Sequence, residues 1–442
     1  MGLGLLGRGL GDARFLAQAG AELTVTDRKS ADELTSSIAE LKDFPQVRLH
    51  LGEHRYADFR ACDLVLKGAG VPLDSPFIAE ARSNSVPVDM SASFFGRVSG
   101  VPMIGITGTR GKSTVTHLID AILRAAGAKT ILGGNVRGVS NLALLPEAHE
   151  SDVAVFELDS WQCQGFGEEC SLDVSGVRQG PHSPAIAVFT TFLDDHMNYY
   201  GGSMERYFED KAQIFLHQQE GDVFVVGSQV YDLLAPYRST IRGRVVVADE
   251  TTVPETWRVR LAGAHNRYNI GVAIAVAREY GVEDAVIREA VASFAGVPGR
   301  LQAVGVVRGV QVYNDNNATT PDATVAALHA LSKSGATKHV VLIAGGADKG
   351  IAQNVLLDTI EETCRELVLL PGTGTDRLVR AVRERGLSFT EVDTLEAALA
   401  QAFAHAREGD ALLFSPAFAS FGLFTNEYDR GDQFNALLST YR

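Results

Sequence analysis

Gly108-Thr109-Arg110-Gly111-Lys112-Ser113-Thr114 follows directly on the apolar run Met103-Ile104-Gly105-Ile106-Thr107. Small residues in such a turn let backbone N–H groups wrap a polyphosphate. Lys112 sets a point charge toward the β/γ-phosphates, and the hydroxyl of Ser113 or Thr114 can ligate Mg²⁺. A glycine-rich turn that merely contains a lysine is the plainer reading. A strand before the turn and a helix after it favour a nucleoside-triphosphate site. The loop is shorter than the general G-x-x-x-x-G-K-[ST] pattern, which marks a subfamily rather than P-loop proteins at large.

Other residues of chemical interest close predicted strands or open predicted helices. Glu157 ends the run Val153-Ala154-Val155-Phe156. There it either holds Mg²⁺ opposite the loop or is a solvated strand-end carboxylate. His196 stands in Thr190-Thr191-Phe192-Leu193-Asp194-Asp195-His196, just past a strand's carboxyl end, where open α/β sheets bind ligands. A metal or phosphate role and a structural one are both open. Lys211 lies in the helical stretch Tyr207–Phe215 and reads, by pattern alone, as a surface lysine. Gly263-Ala264-His265-Asn266-Arg267-Tyr268-Asn269 opens an apolar helix through Ile270, Val272, Ala273 and Val276. Asn266 and Asn269 share a face and could bind a purine or phosphate, with N-capping as the competing reading of Asn266.

The elements that must position these residues fall into three segments. A chain of 442 residues is long enough for about three domains. The first segment runs to residue 97, with a helix over Asp12–Ala19 and strands over Glu22–Thr26, Val47–Leu51 and Leu64–Lys67. Their alternation predicts a parallel sheet with crossover helices. Gly2-x-Gly4-x-x-Gly7, with Asp27 about 20 residues later, imitates a dinucleotide fingerprint, and the nucleotide of a UDP-sugar is an alternative ligand. A strand normally precedes such a turn. Here there is scarcely room for one, so either the natural chain begins upstream or this strand is a stub. The second segment, 98–298, holds the glycine loop and a helix whose apolar face is Val115, Leu118, Ile119, Ile122 and Leu123, stopped by Gly127. Its further strands are predicted at Val153–Leu158, Ala185–Thr190 and Asp222–Val226. The third segment, 299–442, follows the hinge-like Gly296-Val297-Pro298-Gly299, with strands over Val310–Tyr313, Val340–Ala344, Leu367–Leu370 and Ala411–Phe414.

Composition narrows the class. A net charge of −14 argues against a broad nucleic-acid footprint. Four scattered cysteines suggest no disulfide framework, so a reducing cytoplasm is expected. No stretch approaches the ~18 apolar residues of a membrane span, and the first residues lack the features of a signal peptide.

Taken together the motifs resemble the Mur ligase family over nearly the whole chain. Gly-Thr-x-Gly-Lys-Ser-Thr, Gly133-Gly134-Asn135, the Glu157 strand, Asp195-His196, Lys211 fifteen residues after His196, and His265-Asn266-x-x-Asn269 occur in the family's order. The branch that joins D-glutamate to UDP-N-acetylmuramoyl-L-alanine is the most similar. Its signatures are echoed by Glu157-Leu158-Asp159-Ser160-Trp161-Gln162, Asn314-Asp315-Asn316-Asn317-Ala318-Thr319 and Ser415-Pro416-Ala417-Phe418-Ala419-Ser420 with Asn426 and Arg430-Gly431.

The resemblance implies an α/β protein of three domains. These are an N-terminal Rossmann-like UDP-binding domain (1–97), a central P-loop ATPase domain with a mostly parallel sheet (98–298) and a C-terminal Rossmann-like amino-acid-binding domain (299–442). It implies that ATP phosphorylates a substrate carboxylate and that glutamate's amino group attacks the acyl phosphate, in the precursor synthesis of peptidoglycan. ATP would be held by Gly108, Thr109, Arg110, Gly111, Lys112, Ser113, Thr114, Asn266, Asn269, Arg300 and Asp315. Mg²⁺ would be held by Ser113 or Thr114, Glu157, His196 and an N6-carboxylated Lys211, with Lys112, His196 and Lys211 as the catalytic set. Gly7, Arg8, Asp27 and Arg28 would hold the UDP end, Asn135 the muramoyl part, and Thr319, Lys349 and Ser420 the carboxylates of glutamate. The fingerprint-like turn then reads UDP, not NAD. The expected partners are small molecules, with no nucleic acid and no membrane insertion, and the chain is expected to be a monomer.

Four departures stand out. Asn317 replaces a lysine of the family pattern, Asp159 replaces a serine, residues 163–184 form a longer loop, and Glu427 stands where an apolar residue is commoner. Losing a cation and gaining carboxylates should weaken a site for an acidic amino acid unless another cation compensates. The same chemistry with L-glutamate or another amino acid, and a nucleotide-binding relative without catalysis, are therefore the alternatives. A folate-polyglutamylating enzyme is disfavoured by the UDP-like first segment and the Ser-Pro-Ala-x-Ala-Ser signature.

Overall fold

The computed structural model describes residues 1–4, 7–136, 138–171, 179–332 and 338–441. Two compact units are present, Met1–Arg258 with Tyr268–Ala292, and Val259–Arg267 with Ser293–Arg442.

The first unit opens with β1 (Leu23–Asp27), β2 (Val47–Leu51), β3 (Val65–Leu66) and β4 (Val88–Asp89). β1 pairs with β2 and β3 with β4, both in parallel. Residues Met1–Leu3 lie between the two pairs, ahead of the glycine turn. Gly2 N donates to Thr26 O (2.8 Å), and Gly68 N donates to Met1 O (2.7 Å), so this short segment bridges the two pairs. The helix after the turn starts earlier than expected, at Arg8, and runs to Gln18. Gly7, at φ 82°, caps it in a conformation that suits glycine.

The same unit contains a six-stranded sheet of β5 (Met103–Thr107), β6 (Thr130–Gly134), β7 (Val153–Glu157), β8 (Ile186–Phe189), β9 (Val223–Gly227) and β10 (Arg244–Ala248). The order is β10-β9-β8-β5-β7-β6, with every pairing parallel. From β5 the chain leaves toward β6 on one side and later returns to β8 on the other. The glycine loop after β5 therefore lies at a topological switch point, flanked by the tips of β7 and β8. The predicted apolar face of the helix Lys112–Ala125 is fully buried. Its β-branched and leucine side chains cover a sheet whose strands β5 and β7 are buried along their whole length, as a sheet covered on both faces requires.

The second unit is built on β11 (Gln302–Val307), β12 (Val310–Asn314), β13 (Val340–Ala344), β14 (Cys364–Leu369), β15 (Thr390–Glu391) and β16 (Ala411–Phe414), in the order β11-β12-β16-β13-β14-β15. β11 was not anticipated, and it is antiparallel to β12. The hairpin turns at Arg308-Gly309, where both residues have positive φ. β11 alternates between partly buried and exposed positions over most of its length and ends at the buried Val307, a pattern too faint to read as a strand in sequence. Among the described residues no helix is long and apolar enough to cross a membrane.

A buried ion pair braces the first unit. Arg97 Nε donates to Asp89 Oδ2 (2.9 Å), both side chains are fully buried, and Ser93 Oγ donates to the other carboxylate oxygen. Breaking such a pair strands a charge in a low dielectric. Asp89→Ala should lower the stability of this unit by about 3–5 kcal/mol in urea unfolding, and adding Arg97→Met should restore part of the loss.

Candidate active site

The glycine loop is clamped by the segment that leaves β8. Thr109 N donates to Thr191 O (2.7 Å), Arg110 N to Thr191 Oγ1 (2.9 Å), and Thr190 Oγ1 to Arg110 O (2.6 Å). Thr109 Oγ1 donates to Leu193 O (3.1 Å). Gly108 has φ 144°, and a Cβ there would strike the Thr190 hydroxyl. Gly111, at φ 85°, would collide with the Asn269 side chain, which places Asn269 against the loop. The helix begins at Lys112, so the first-turn amides of Lys112, Ser113 and Thr114 have no intrahelical acceptor. Lys112 Nζ folds back onto Gly108 O (2.9 Å) and Thr109 O (3.3 Å), the position from which it can swing to a phosphate. Arg110 pairs with Asp195 (2.9 Å).

β7 brings Glu157 to the same edge, level with Ile106 of β5. Glu157 is 4% exposed. Among the described residues its carboxylate accepts no hydrogen bond and makes no ion pair. A buried carboxylate left without a protein partner suits a cation ligand. Asn135 N donates to Glu157 O (2.6 Å), which sets Asn135 beside it. His196 has φ 55°, uncommon for a non-glycine residue. Its ring packs on Trp161 (4.7 Å between centroids), and its Nε2 lies 3.8 Å from Asp195.

Lys211 is not at the surface. Its helix, Met204–Leu216, buries one face against the sheet, and Lys211 is 1% exposed. Its Nζ donates to Gly108 O (3.0 Å) and Thr107 Oγ1 (3.3 Å), directly beneath the glycine loop. Burial pushes its pKa below the ordinary lysine range. A sequence pattern sees only a polar residue in an amphipathic helix and cannot tell which turn meets the sheet's tip. No group of three His, Cys, Asp or Glu side chains able to hold a metal is found among the described residues. A divalent ion here would therefore draw on the Ser113 or Thr114 hydroxyl, Glu157, His196 and a Lys211 that has lost its positive charge.

Asp159, one of the departures, caps the short helix Ser160–Gln164. Its Oδ1 accepts from Gln162 N (2.8 Å), and Gln162 Oε1 accepts from Asp159 N (3.2 Å). Serine and aspartate serve this capping role about equally, which accounts for the exchange. Residues 172–178 of the long loop lie outside the described residues. On either side of them Gly180 N donates to Cys170 O (3.1 Å) and His182 N to Phe166 O (2.9 Å). Asn266 is inside the helix Ala264–Tyr280 and donates its amide to Ala262 O (2.8 Å), so it is not the N-cap.

In the glycine turn near the start, the Asp27 carboxylate accepts from Gly4 N (3.0 Å) and Lys29 N (2.9 Å) and so shapes the turn itself. Arg28 is exposed beside it, and Arg8 occupies the first helical position after Gly7.

In the second unit the adjacent tips of β12, β16 and β13 carry three loops stitched together. Ala417 N donates to Ala318 O (3.0 Å), Gly345 N to Pro416 O (2.8 Å), and Ala347 and Ala419 exchange backbone bonds. Arg430, fully buried, donates to Asn316 O (2.7 Å) and Phe418 O (3.1 Å). This gathers Thr319, Lys349 and Ser420 at one sheet edge, with Lys349 Nζ donating to Thr319 Oγ1 (3.2 Å). Asn317 is half-buried and donates to Pro298 O (3.4 Å). Glu427 opens the helix Glu427–Ser439, where the helix dipole favours an acid. Asp315 accepts from Leu301 N and Ser415 Oγ (both 2.8 Å), tying the segment next to Arg300 to the strand tips.

Comparison with known proteins finds three family models in succession. The Mur ligase MurD-like N-terminal domain matches residues 1–89, the Mur ligase middle domain 106–233, and the Mur ligase glutamate ligase domain 299–418. A UDP-N-acetylmuramoylalanine--D-glutamate ligase of Roseiflexus sp. (strain RS-1) is 36% identical, over 100% of this chain and 98% of its own length. Among solved structures, a UDP-N-acetylmuramate-alanine ligase from Thermotoga maritima matches with a TM-score of 0.60 at 17% identity, covering 100% of this chain and 98% of that one. A Mycobacterium tuberculosis folylpolyglutamate synthase, complexed with ADP and AMPPCP, matches with a TM-score of 0.58 at 16% identity, over only 77% of this chain and 91% of its own.

Burial raises the Asp315 pKa to about 7, well above the unfolded carboxyl near 3.8. The native state then holds the proton more tightly, so this contribution is full below about pH 4 and fades as pH rises through 7. The thermal stability of the second unit should fall from pH 5 to pH 8, and Asp315→Asn should flatten that decline.

Proposed function

The chain belongs to the Mur ligase family, and from that premise we propose that it is an ATP-dependent ligase that adds D-glutamate to UDP-N-acetylmuramoyl-L-alanine in peptidoglycan precursor synthesis. One observation carries this reading. A glycine-rich turn that opens a helix shares its sheet edge with a buried carboxylate unpartnered among the described residues, Glu157, and with a buried lysine, Lys211.

In the proposed reaction the substrate carboxylate attacks the γ-phosphorus of ATP, giving an acyl phosphate and ADP. The glutamate amine then adds to the acyl carbon. The tetrahedral adduct loses a proton and expels phosphate, leaving the amide. Such chemistry needs alignment and charge neutralisation more than covalent help. Lys112 swings from the Gly108 and Thr109 carbonyls to the γ-phosphate. Amides of the first helical turn hold the β-phosphate, with Asn269 against the loop, and Asn266, Arg300 and Asp315 keep the ATP-binding roles that the family resemblance gives them. Mg²⁺ held by Ser113 or Thr114, Glu157 and His196 would screen the charge between the phosphates and the incoming carboxylate.

Lys211 fits this set only as its carbamate. The buried amine, with its pKa lowered, adds to CO₂ and releases a proton, replacing a cation with a carboxylate-like group. In the second unit Lys349 receives a glutamate carboxylate with the hydroxyls of Thr319 and Ser420. Glycine-turn residues Gly7, Arg8, Asp27 and Arg28 hold the UDP end, and Asn135 the sugar. Working domain limits of 1–97, 98–298 and 299–442 separate UDP-substrate, ATP and amino-acid binding. A monomeric cytoplasmic enzyme accords with this set of small, soluble substrates.

Phosphate release from ATP and Mg²⁺ with UDP-N-acetylmuramoyl-L-alanine tests the reading, comparing D-glutamate, L-glutamate and no amino acid. Release only with D-glutamate is expected. Release only with L-glutamate would move the substrate while keeping the ligase, and release with neither would refute it. Lys112→Ala should lower turnover by about 10²–10³-fold, the scale of losing one charge-stabilising donor. Lys211→Ala should be impaired and partly rescued by short carboxylates such as acetate or formate in the assay. An unimpaired Lys211→Ala would remove the lysine from the site.

A further inference from the structure

Lys67 is 3% exposed at the carboxyl end of β3, and nothing in the proposed reaction employs it. A buried lysine ordinarily has a carboxylate beside it. Here the ammonium donates to two neutral acceptors, Val71 O (3.0 Å) and Gln164 Oε1 (3.1 Å). Among the described residues no carboxylate lies within ion-pair distance, and Glu168, Asp159 and Asp210 act on it only through space. Burial draws its pKa down to about 8.

The two acceptors belong to different parts of the site. Val71 ends the turn that runs beside the glycine turn. A Cβ on Gly2 would stand 3.2 Å from Val71 Cγ2, and Gly68 N donates to Met1 O (2.7 Å). Gln164 closes the helix Ser160–Gln164, and its amide donates to Asp210 Oδ2 (2.7 Å), the neighbour of Lys211. The same short helix carries Trp161, which packs on His196, and Cys163, whose Sγ lies 3.5 Å from the Thr107 hydroxyl that Lys211 also contacts.

We propose that Lys67 is a positioning residue that joins the turn holding the nucleotide-sugar substrate to the helix that sets His196 and Lys211. This rests on the reading of the glycine turn as the UDP-substrate site. Without the ammonium, the Val71 carbonyl and the Gln164 amide oxygen lose a shared donor, so the turn and the helix relax independently. The ATP loop is held by Thr190, Thr191 and Thr109, none of which depends on Lys67.

The test compares Lys67→Met, Gln164→Leu, the double variant and Lys67→Arg in the full chain. Lys67→Met should raise KM for UDP-N-acetylmuramoyl-L-alanine about tenfold, the scale of a buried hydrogen bond to a charged group, with KM for ATP unchanged. The Lys67→Met and Gln164→Leu losses should be less than additive in the double variant, because both remove the one Lys67–Gln164 bond, and Lys67→Arg should recover part of the loss. A fall in kcat with both KM values unchanged, or additive effects in the double variant, would overturn the proposal. If the unsubstituted chain shows no turnover, the proposed function fails on its own. Calorimetric titration of UDP-N-acetylmuramoyl-L-alanine then decides: affinity about tenfold weaker for Lys67→Met supports the proposal, and equal affinity or no binding by either chain overturns it.

Discussion

Burying the Lys211 ammonium beneath the glycine loop is the constraint around which the proposed active site is arranged. A lone ammonium taken out of water costs several kcal/mol. Among the described residues the protein returns a carbonyl, Gly108 O, a hydroxyl, Thr107 Oγ1, and the face of the Tyr207 ring 4.8 Å away, all neutral. The carboxylates of Asp159, Asp195 and Asp210 favour the charge only through space, and burial outweighs them. An amine held this way is depressed toward its neutral, nucleophilic form, which is the form that adds CO₂. A buried cation and an unpartnered buried Glu157 on neighbouring elements are each costly alone. Both become reasonable if the lysine is carbamylated and the pair faces a divalent ion.

Sheet topology explains why these groups meet. β5 sits between β8 and β7, so the loop after β5, the Glu157 tip and the Thr190–His196 segment converge although they are far apart in sequence. The helix bearing Lys211 then crosses under that edge, pinned through Tyr207, whose hydroxyl is 3.3 Å from Thr109 Oγ1. The second unit repeats the device. Its three adjacent strand tips deliver Asp315–Thr320, Ser415–Ser420 and Gly345–Gly350 to one edge, stitched by backbone bonds and by the buried Arg430.

Much of this was legible in the sequence because the informative residues sit at element ends, where composition changes abruptly. The apolar face from Val115 to Leu123 and the strands Val340–Ala344 and Ala411–Phe414 follow from local pattern. The burial of Lys211 does not, because it depends on which helical turn meets the sheet tip. β11 was hidden by its half-exposed alternation, and β4 by being two residues long. Lys67 is not distinguished by sequence, because a lysine ending a short apolar run looks like a strand's solvated terminus. Two of the departures have local explanations, since Asp159 replaces one capping residue with another and Glu427 occupies a helix N-terminus that tolerates an acid. Nothing in the structure explains Asn317 in place of a lysine.

The proposed site depends above all on Lys211 being carbamylated. The most direct measurement is ¹³C NMR of the full chain in ¹³C-bicarbonate with Mg²⁺ and a non-hydrolysable ATP analogue. A protein-bound carbamate resonance that disappears in Lys211→Ala is expected. Absence of that resonance in the unsubstituted chain, or its persistence in Lys211→Ala, would contradict the account.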